Sequence, residues 1–278
     1  MTDRVTVTIE DDVARVTLDH PELRNALTAE LADGLVAAME TVADSDARCV
    51  VVAGEGAAFC AGGDLNAMVK GIEADGGDGD GADDRGDTGD GDDSEPARAA
   101  VERTASAVTA VANCEVPTVA AVEGAAYGAG AALAIACDVV VASEEAGISF
   151  GFRRVGLAVD SGVSYHLPRI VGESTAKTLI FTGEMVEADR AADLGLFNRV
   201  VSEDSFDEEL DAFVDQVASG PTAALSASKR LVEEGHRRSL SEAVAAETDT
   251  QVAMVDTADH AEGVRAFVER RDPDFRGE

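Results

Sequence analysis

The chain has 278 residues and is 45% hydrophobic, enough to bury a large core as one domain with an appendage or as two domains. Its 55 acidic residues stand against 22 Lys and Arg, a formal charge of −33. An excess this large repels phosphates and anionic headgroups, so neither nucleic acid nor a membrane surface is expected as a partner.

In chain order, Val5–Ile9 and Val13–Leu18 alternate apolar with polar residues around Glu10-Asp11-Asp12, which predicts a β-hairpin. Thr28–Ala43 places Leu31, Leu35, Met39 and Val42 at helical spacing, with Thr28 as candidate N-cap. Cys49–Ala53 reads as a short buried strand ending at Gly54. Ala97–Ala112 reads as a helix with Val101, Val108 and Val111 turned inward. Thr118–Val122 is a second buried strand, Ala129–Ala136 a short helix of small residues, and Val139–Ala142 a strand again. Strands alternating with helices predict an α/β fold with mostly parallel pairing. From Ser202 the pattern turns helical: Phe206–Ala218, Thr222–Glu234, Leu240–Val255 and His260–Arg270. The expected organisation is a core over 1–201 and a C-terminal helical region over 202–278.

Between the first strands and the helix at Ala97 lies Glu73–Glu95, with eleven acids, seven glycines and one Arg. Such a segment cannot bury enough surface to offset the entropy of ordering it, so it reads as a disordered insertion. It lacks EF-hand spacing and the periodic apolar residue of calcium-binding repeats.

Cys49, Cys60, Cys114 and Cys137 form no CxxC pair and are read as small reduced core residues, with no metal site implied. Acids at Asp3, Glu10, Asp11 and Asp12 leave no signal-peptide core, and Glu123 and Asp138 break the longest apolar run. A cytoplasmic protein is expected. The acidic surface suits high salt, where screening lengths fall to about 3 Å at 1 M. That predicts a halophilic source, an archaeon with a salt-rich cytoplasm.

Two segments carry the chemistry. Gly128-Ala129-Gly130-Ala131-Ala132 opens a helix with almost no side-chain bulk, so a ligand can approach the backbone. The first N–H groups of a helix are unpaired and lie at the positive end of its dipole, where an oxygen gaining negative charge is stabilised. Ala61-Gly62-Gly63-Asp64 offers a second such turn after a strand. Together with His20-Pro21-Glu22-Leu23-Arg24-Asn25-Ala26-Leu27, Phe59–Leu65, Val122–Cys137, Gly156–Gly172, Ala188–Val201 and Glu262–Phe275, they resemble the crotonase (enoyl-CoA hydratase/isomerase) superfamily over nearly all of the chain outside 71–96. The resemblance implies a spiral of ββα units, a coenzyme A thioester as substrate with no separate cofactor, and a homotrimer or dimer of trimers. It makes the N–H groups of Gly63 and Ala129 the donors to the thioester oxygen. It puts Arg24 at the CoA phosphates and the backbone of Ala26, Ala61, Asp64 and Leu65 around the adenine and pantetheine.

The resemblance also narrows the reaction. A hydratase of this family has Glu at the positions of Ala132 and Phe152, and this chain has none there. It offers Asp160, in Gly156-Leu157-Ala158-Val159-Asp160-Ser161-Gly162, at a position similar to the acid of single-Asp enoyl-CoA and ring-epoxide isomerases. Asp160 has two readings, a catalytic base or the N-cap of a helix over Ser161–Val171. Glu123 is a further candidate base. The expected function is an acyl-CoA isomerase that shifts a double bond. The alternatives are an enoyl-CoA hydratase and an inactive acyl-CoA-binding homologue.

Overall fold

The computed structural model describes residues 4–75 and 95–278. The antiparallel hairpin is present as β1 (Val5–Glu10) and β2 (Val13–Leu18). Asp11 and Asp12 turn it with φ of 49° and 65°, the left-handed pair that a two-residue hairpin turn requires and that Asp tolerates. Beside β2 runs β3 (Cys49–Gly54), then β4 (Thr118–Val122), β6 (Val139–Ser143) and β9 (Arg199–Val201), all parallel. A second sheet holds β5 (Ala125–Tyr127), β7 (Gly147–Ser149) and β8 (Val186–Glu187).

Strand periodicity divides the core into two layers. Val50, Val52, Ala120, Val122, Val140 and Ala142 face one side, packed under α1 (Ala29–Ala43), α3 (Glu95–Ala112) and α4 (Ala129–Ala136). Cys49, Val51, Val119, Ala121 and Val141 face the other, covered by Phe206, Leu210, Val214 and Ala218 of α8 (Phe206–Ala218). The α/β reading of the sequence holds. Helix α8 is one of the layers over the sheet, although the expected division at Ser202 assigns it to the C-terminal region.

Local signals set several boundaries. The Thr28 hydroxyl accepts the Leu31 N–H at 3.2 Å and starts α1, a cap typically contributing about 1 kcal/mol. Val108 and Val111 are buried on α3, but Val101 is exposed, contrary to the expected inward stripe. Helix α2 (Leu65–Asp75) was not foreseen; the Asp64 carboxylate caps it, accepting the N–H groups of Asn66 and Ala67 at 2.9 and 3.1 Å. Of the acidic insertion, Glu73–Asp75 close α2 and Glu95 opens α3; residues 76–94 lie outside the described residues.

The chain then runs through α5 (Val163–Val171), α6 (Glu173–Thr182) and α7 (Ala188–Asp193) to β9 and α8. It ends in α9 (Thr222–Gly235), α10 (Leu240–Val255) and α11 (Ala258–Glu269). The buried Asp259 carboxylate accepts the N–H groups of Arg276 and Gly277 at 2.7 and 2.8 Å, folding the tail onto α11. Arg48 donates to Thr222 Oγ1 at 2.8 Å, the Gly220 carbonyl at 2.5 Å and the Phe275 carbonyl at 3.2 Å. These bonds tie the helical region to the start of β3.

Candidate active site

Three neighbouring parallel strands deliver their following segments to one edge of the sheet, where open α/β sheets bind ligands. His20–Leu27 follows β2, Ala57–Asp64 follows β3, and Gly124–Ala132 follows β4. The buried Asn25 joins the first two. Its Oδ1 accepts the His20 N–H at 2.9 Å, and its Nδ2 donates to the carbonyls of Glu55 and Ala58 at 3.0 and 2.8 Å. The Cys60 thiol donates to the Asn25 carbonyl at 3.0 Å. The Ala61 N–H donates to Arg24 O at 2.9 Å and the Leu27 N–H to Gly62 O at 2.7 Å, so the two segments lie side by side.

The third segment closes on the second. The Cys60 N–H donates to Ala125 O at 3.2 Å and the Tyr127 N–H to Cys60 O at 2.9 Å. A Cβ on Gly130 would stand 2.1 Å from Cys60 O, and one on Gly62 would stand 3.3 Å from the Ala129 nitrogen. The glycines are therefore steric requirements of this contact, and Gly62 also holds φ at 91°. Ala129 is the first residue of α4. Neither its N–H nor that of Gly63 has a hydrogen-bond acceptor among the described residues. Two unpaired N–H groups thus lie on adjoining turns, one at a helix N-terminus. That arrangement can hold an oxygen that gains negative charge.

The loop carrying Asp160 is anchored to α4 at both ends. At its start, β7 pairs in parallel with β5, and the Gly128 N–H donates to Ser149 O at 2.8 Å. At its end, α5 packs on α4 and buries Val163 and Leu167 in the same core. Helix α5 begins at Val163, two residues later than the sequence suggests, and its N-cap is Gly162 with no side-chain hydrogen bond. Asp160 is thus not the cap. Its Oδ1 is buried and unpartnered, and so is the hydroxyl of Ser161, which sits at φ 48°. Partial burial pushes the Asp160 carboxyl above its ordinary value, and the nearby Ser161 hydroxyl pulls it back more weakly without reaching hydrogen-bond geometry. Ala132 and Phe152 are both buried and bring no ionisable group.

The remaining candidates fall in several places. Arg24 is exposed at the end of a 3-10 turn, with φ 52°. Ala26 is buried, Ala61 and Asp64 are half-buried, and Leu65 is exposed on α2. Glu123 is exposed; its carboxyl is raised first by partial burial and then by Asp207, Glu203 and Glu55. Of these neighbours, Asp207 and Glu203 lie at or just before the start of α8, on the far side of the sheet from α4, and Glu55 follows β3. Cys60 is fully buried beside the turn, its thiol pushed up to about 12, so it serves as packing. Sequence reasoning gave no role to Asn25, Ser161 or Met68, whose methyl lies 3.0 Å from where a Cβ on Gly63 would be. An Asn between an apolar strand and an apolar helix was a visible hint; the other two carried none.

The sequence profile described as enoyl-CoA hydratase/isomerase matches residues 8–84 and 79–278. A Rhodobacter capsulatus protein named "Probable enoyl-CoA hydratase" is 36% identical over 269 residues, covering 97% of this chain and 96% of its own. The 1,2-epoxyphenylacetyl-CoA isomerase of Escherichia coli is 30% identical, covering 97% of both chains. The crystal structure of an enoyl-CoA hydratase from Polaromonas sp. JS666 superposes with a TM-score of 0.85 at 33% identity, covering 98% of this chain and 99% of the other. The chain belongs to the enoyl-CoA hydratase/isomerase family, and its fold is the crotonase fold.

Proposed function

We propose that this member of the family is an acyl-CoA isomerase that shifts a double bond in an enoyl-CoA thioester with one carboxylate. One observation carries the reading. Asp160 keeps a buried, unpartnered carboxylate oxygen on the loop that brackets α4, while Ala132 and Phe152 are apolar. Water addition needs carboxylates to hold the water and move its protons, but a double-bond shift needs one group that takes and returns a proton. Asp160 takes a proton from C2 of a 3-enoyl thioester. The thioester oxygen becomes an enolate oxygen held by the N–H groups of Gly63 and Ala129. The same proton returns at C4, and the double bond now lies between C2 and C3. Partial burial suits Asp160 to this task, because a carboxylate nearer neutral is a stronger base.

In this reading Arg24 meets the CoA phosphates, and the backbone of Ala26, Ala61, Asp64 and Leu65 flanks the rest of the carrier. A ring epoxide carried on CoA is the second substrate reading, supported by the likeness to the Escherichia coli isomerase over 97% of both chains. The acyl-CoA enzyme assembles as a trimer or pair of trimers and works in high salt. Product analysis with 3-enoyl-CoA and 2-enoyl-CoA in molar salt tests the reaction. Isomerisation without appreciable hydration is the expected result; efficient hydration of crotonyl-CoA that survives Asp160→Asn rejects it.

A further inference from the structure

Ser161 is the second orphan of the site. Its hydroxyl oxygen is buried and has no partner, although a hydroxyl can both donate and accept. Its backbone holds φ at 48°, a left-handed conformation that costs an L-residue strain and that glycine adopts freely, as Gly162 does next to it at 82°. The chain keeps a side chain where the backbone would be easier without one. The atom next in line is Asp160 Oδ1, also buried and also without a partner. A lone donor and a lone acceptor therefore lie on adjacent residues, and the hydroxyl is near enough to draw the carboxyl down.

We infer that Ser161 is a positioning residue for Asp160: once substrate seals the site, its hydroxyl donates to the free carboxylate oxygen and fixes the orientation in which that group meets the substrate's C2. The inference rests on Asp160 being the base. No proton changes hands between the two side chains; Ser161 keeps its own and holds the charged carboxylate ready to accept one. The surrounding elements leave it that role. Helix α4 carries no ionisable side chain, and α6 presents the exposed Glu173–Lys177 pair. On α5 itself, His166 leans over Gly162 and is held below its ordinary value by burial and then by Arg169. Among the described residues, only Ser161 opposes the rise that burial imposes on Asp160.

Two variants separate the hydroxyl from the backbone. Ser161→Ala removes the oxygen and keeps the strain; Ser161→Gly removes both. Each should lower kcat about tenfold with KM little changed, the scale of one lost hydrogen bond to a charged group. Each should also move the acid limb of the kcat profile, which reports the substrate complex where the bond forms, to higher pH, because the donor that favours the ionised carboxylate has gone. With acyl-CoA bound, the carboxyl ¹³C signal of Asp160, identified by its loss in Asp160→Asn, should titrate at higher pH in both variants than in the wild type. Folding is checked by circular dichroism; Ser161→Gly, which relaxes the backbone, serves if Ser161→Ala does not fold. A merely structural Ser161 predicts a Ser161→Gly enzyme with wild-type kcat and an unmoved carboxyl titration, and that result overturns the inference. If the carboxyl titration moves while the wild-type protein isomerises nothing, the pairing stands and the proposed reaction is what fails.

Discussion

A methyl group on Gly62 would stand 2.5 Å from the carbonyl oxygen of Tyr127. That gap is what lets the turn after β3 lie against the entry to α4. Gly62→Ala must push the two segments apart, and φ of 91° adds strain to the clash. The expected outcome is a loss of about 1–3 kcal/mol of stability and a larger loss of turnover. Denaturant midpoints and single-turnover rates read the two effects; an unchanged rate would show that the two turns do not act together.

Ala129→Pro tests the helix-borne donor. Proline is tolerated at the first position of a helix, where its missing N–H has no intrahelical role. The substitution should therefore leave most of the fold and much of the CoA affinity intact. Loss of one oxyanion donor typically costs about 2.7–4 kcal/mol of transition-state stabilisation. A folded variant that keeps wild-type kcat would remove Ala129 from the site.

Asp160→Asn should lower isomerisation by about 10²–10⁴-fold while acyl-CoA still binds. It should also raise the melting temperature at neutral pH. The sign follows from burial: the folded-state value of Asp160 lies above its unfolded value, so the ionised group opposes folding above that range. The opposition fades as pH falls through the folded value. The gap in melting temperature between wild type and variant should shrink on acidification, as a pH series of thermal melts can follow. A variant less stable than wild type would mean that Asp160 has a structural partner.

Large apolar side chains lie open on the C-terminal helices, with Leu240 81% and Phe267 85% exposed in a single chain. Burying one such side chain contributes about 1.5–3 kcal/mol, so they should be covered in an assembly. Sedimentation in molar salt should give a species larger than a monomer, and Phe267→Glu should shift it toward one. A monodisperse wild-type monomer would contradict the expected assembly.

The charge of −33 should make the protein sensitive to dilution of salt. At 0.01 M the screening length reaches about 30 Å, and like charges across the surface then repel one another. The melting temperature should fall as salt is removed at constant pH. Full stability in dilute buffer would count against a high-salt adaptation.

The parts of the fold read from sequence were those with a clear period. The hairpin, β3, β4, α4 and α8 have alternating, continuous or helical apolar patterns that survive in three dimensions. The second sheet did not. Ala125–Tyr127 and Gly147–Ser149 are three residues each, too short for a period, and main-chain bonds of Cys60 and Gly128 hold their ends. Helix α2 carries Leu65, Met68 and Val69 at helical spacing, a period legible but short and running straight into the acidic segment; in this chain these side chains face solvent. Asp160 as a cap failed for a local reason: Ser161 and Gly162 both take left-handed φ, which carries its carboxylate away from the helix start. At the site, the backbone donors were visible as a run of small residues, but the orphaned hydroxyl of Ser161 could emerge only from packing.

The contact between Gly62 and the start of α4 also divides the labour of the site. In the proposed reaction, charge stabilisation resides in main chain, which side-chain exchange cannot readily edit, and the close contact needs Gly62 and Gly130. Proton handling in that reaction rests on the side chain of Asp160 before α5, while Ala132 within α4 and Phe152 in the 3-10 turn after β7 are apolar walls. The two can vary independently. A combinatorial library at those three positions would keep one electrophilic cradle while sampling different reactions of the same activated thioester, making this chain a scaffold whose chemistry is set by interchangeable walls.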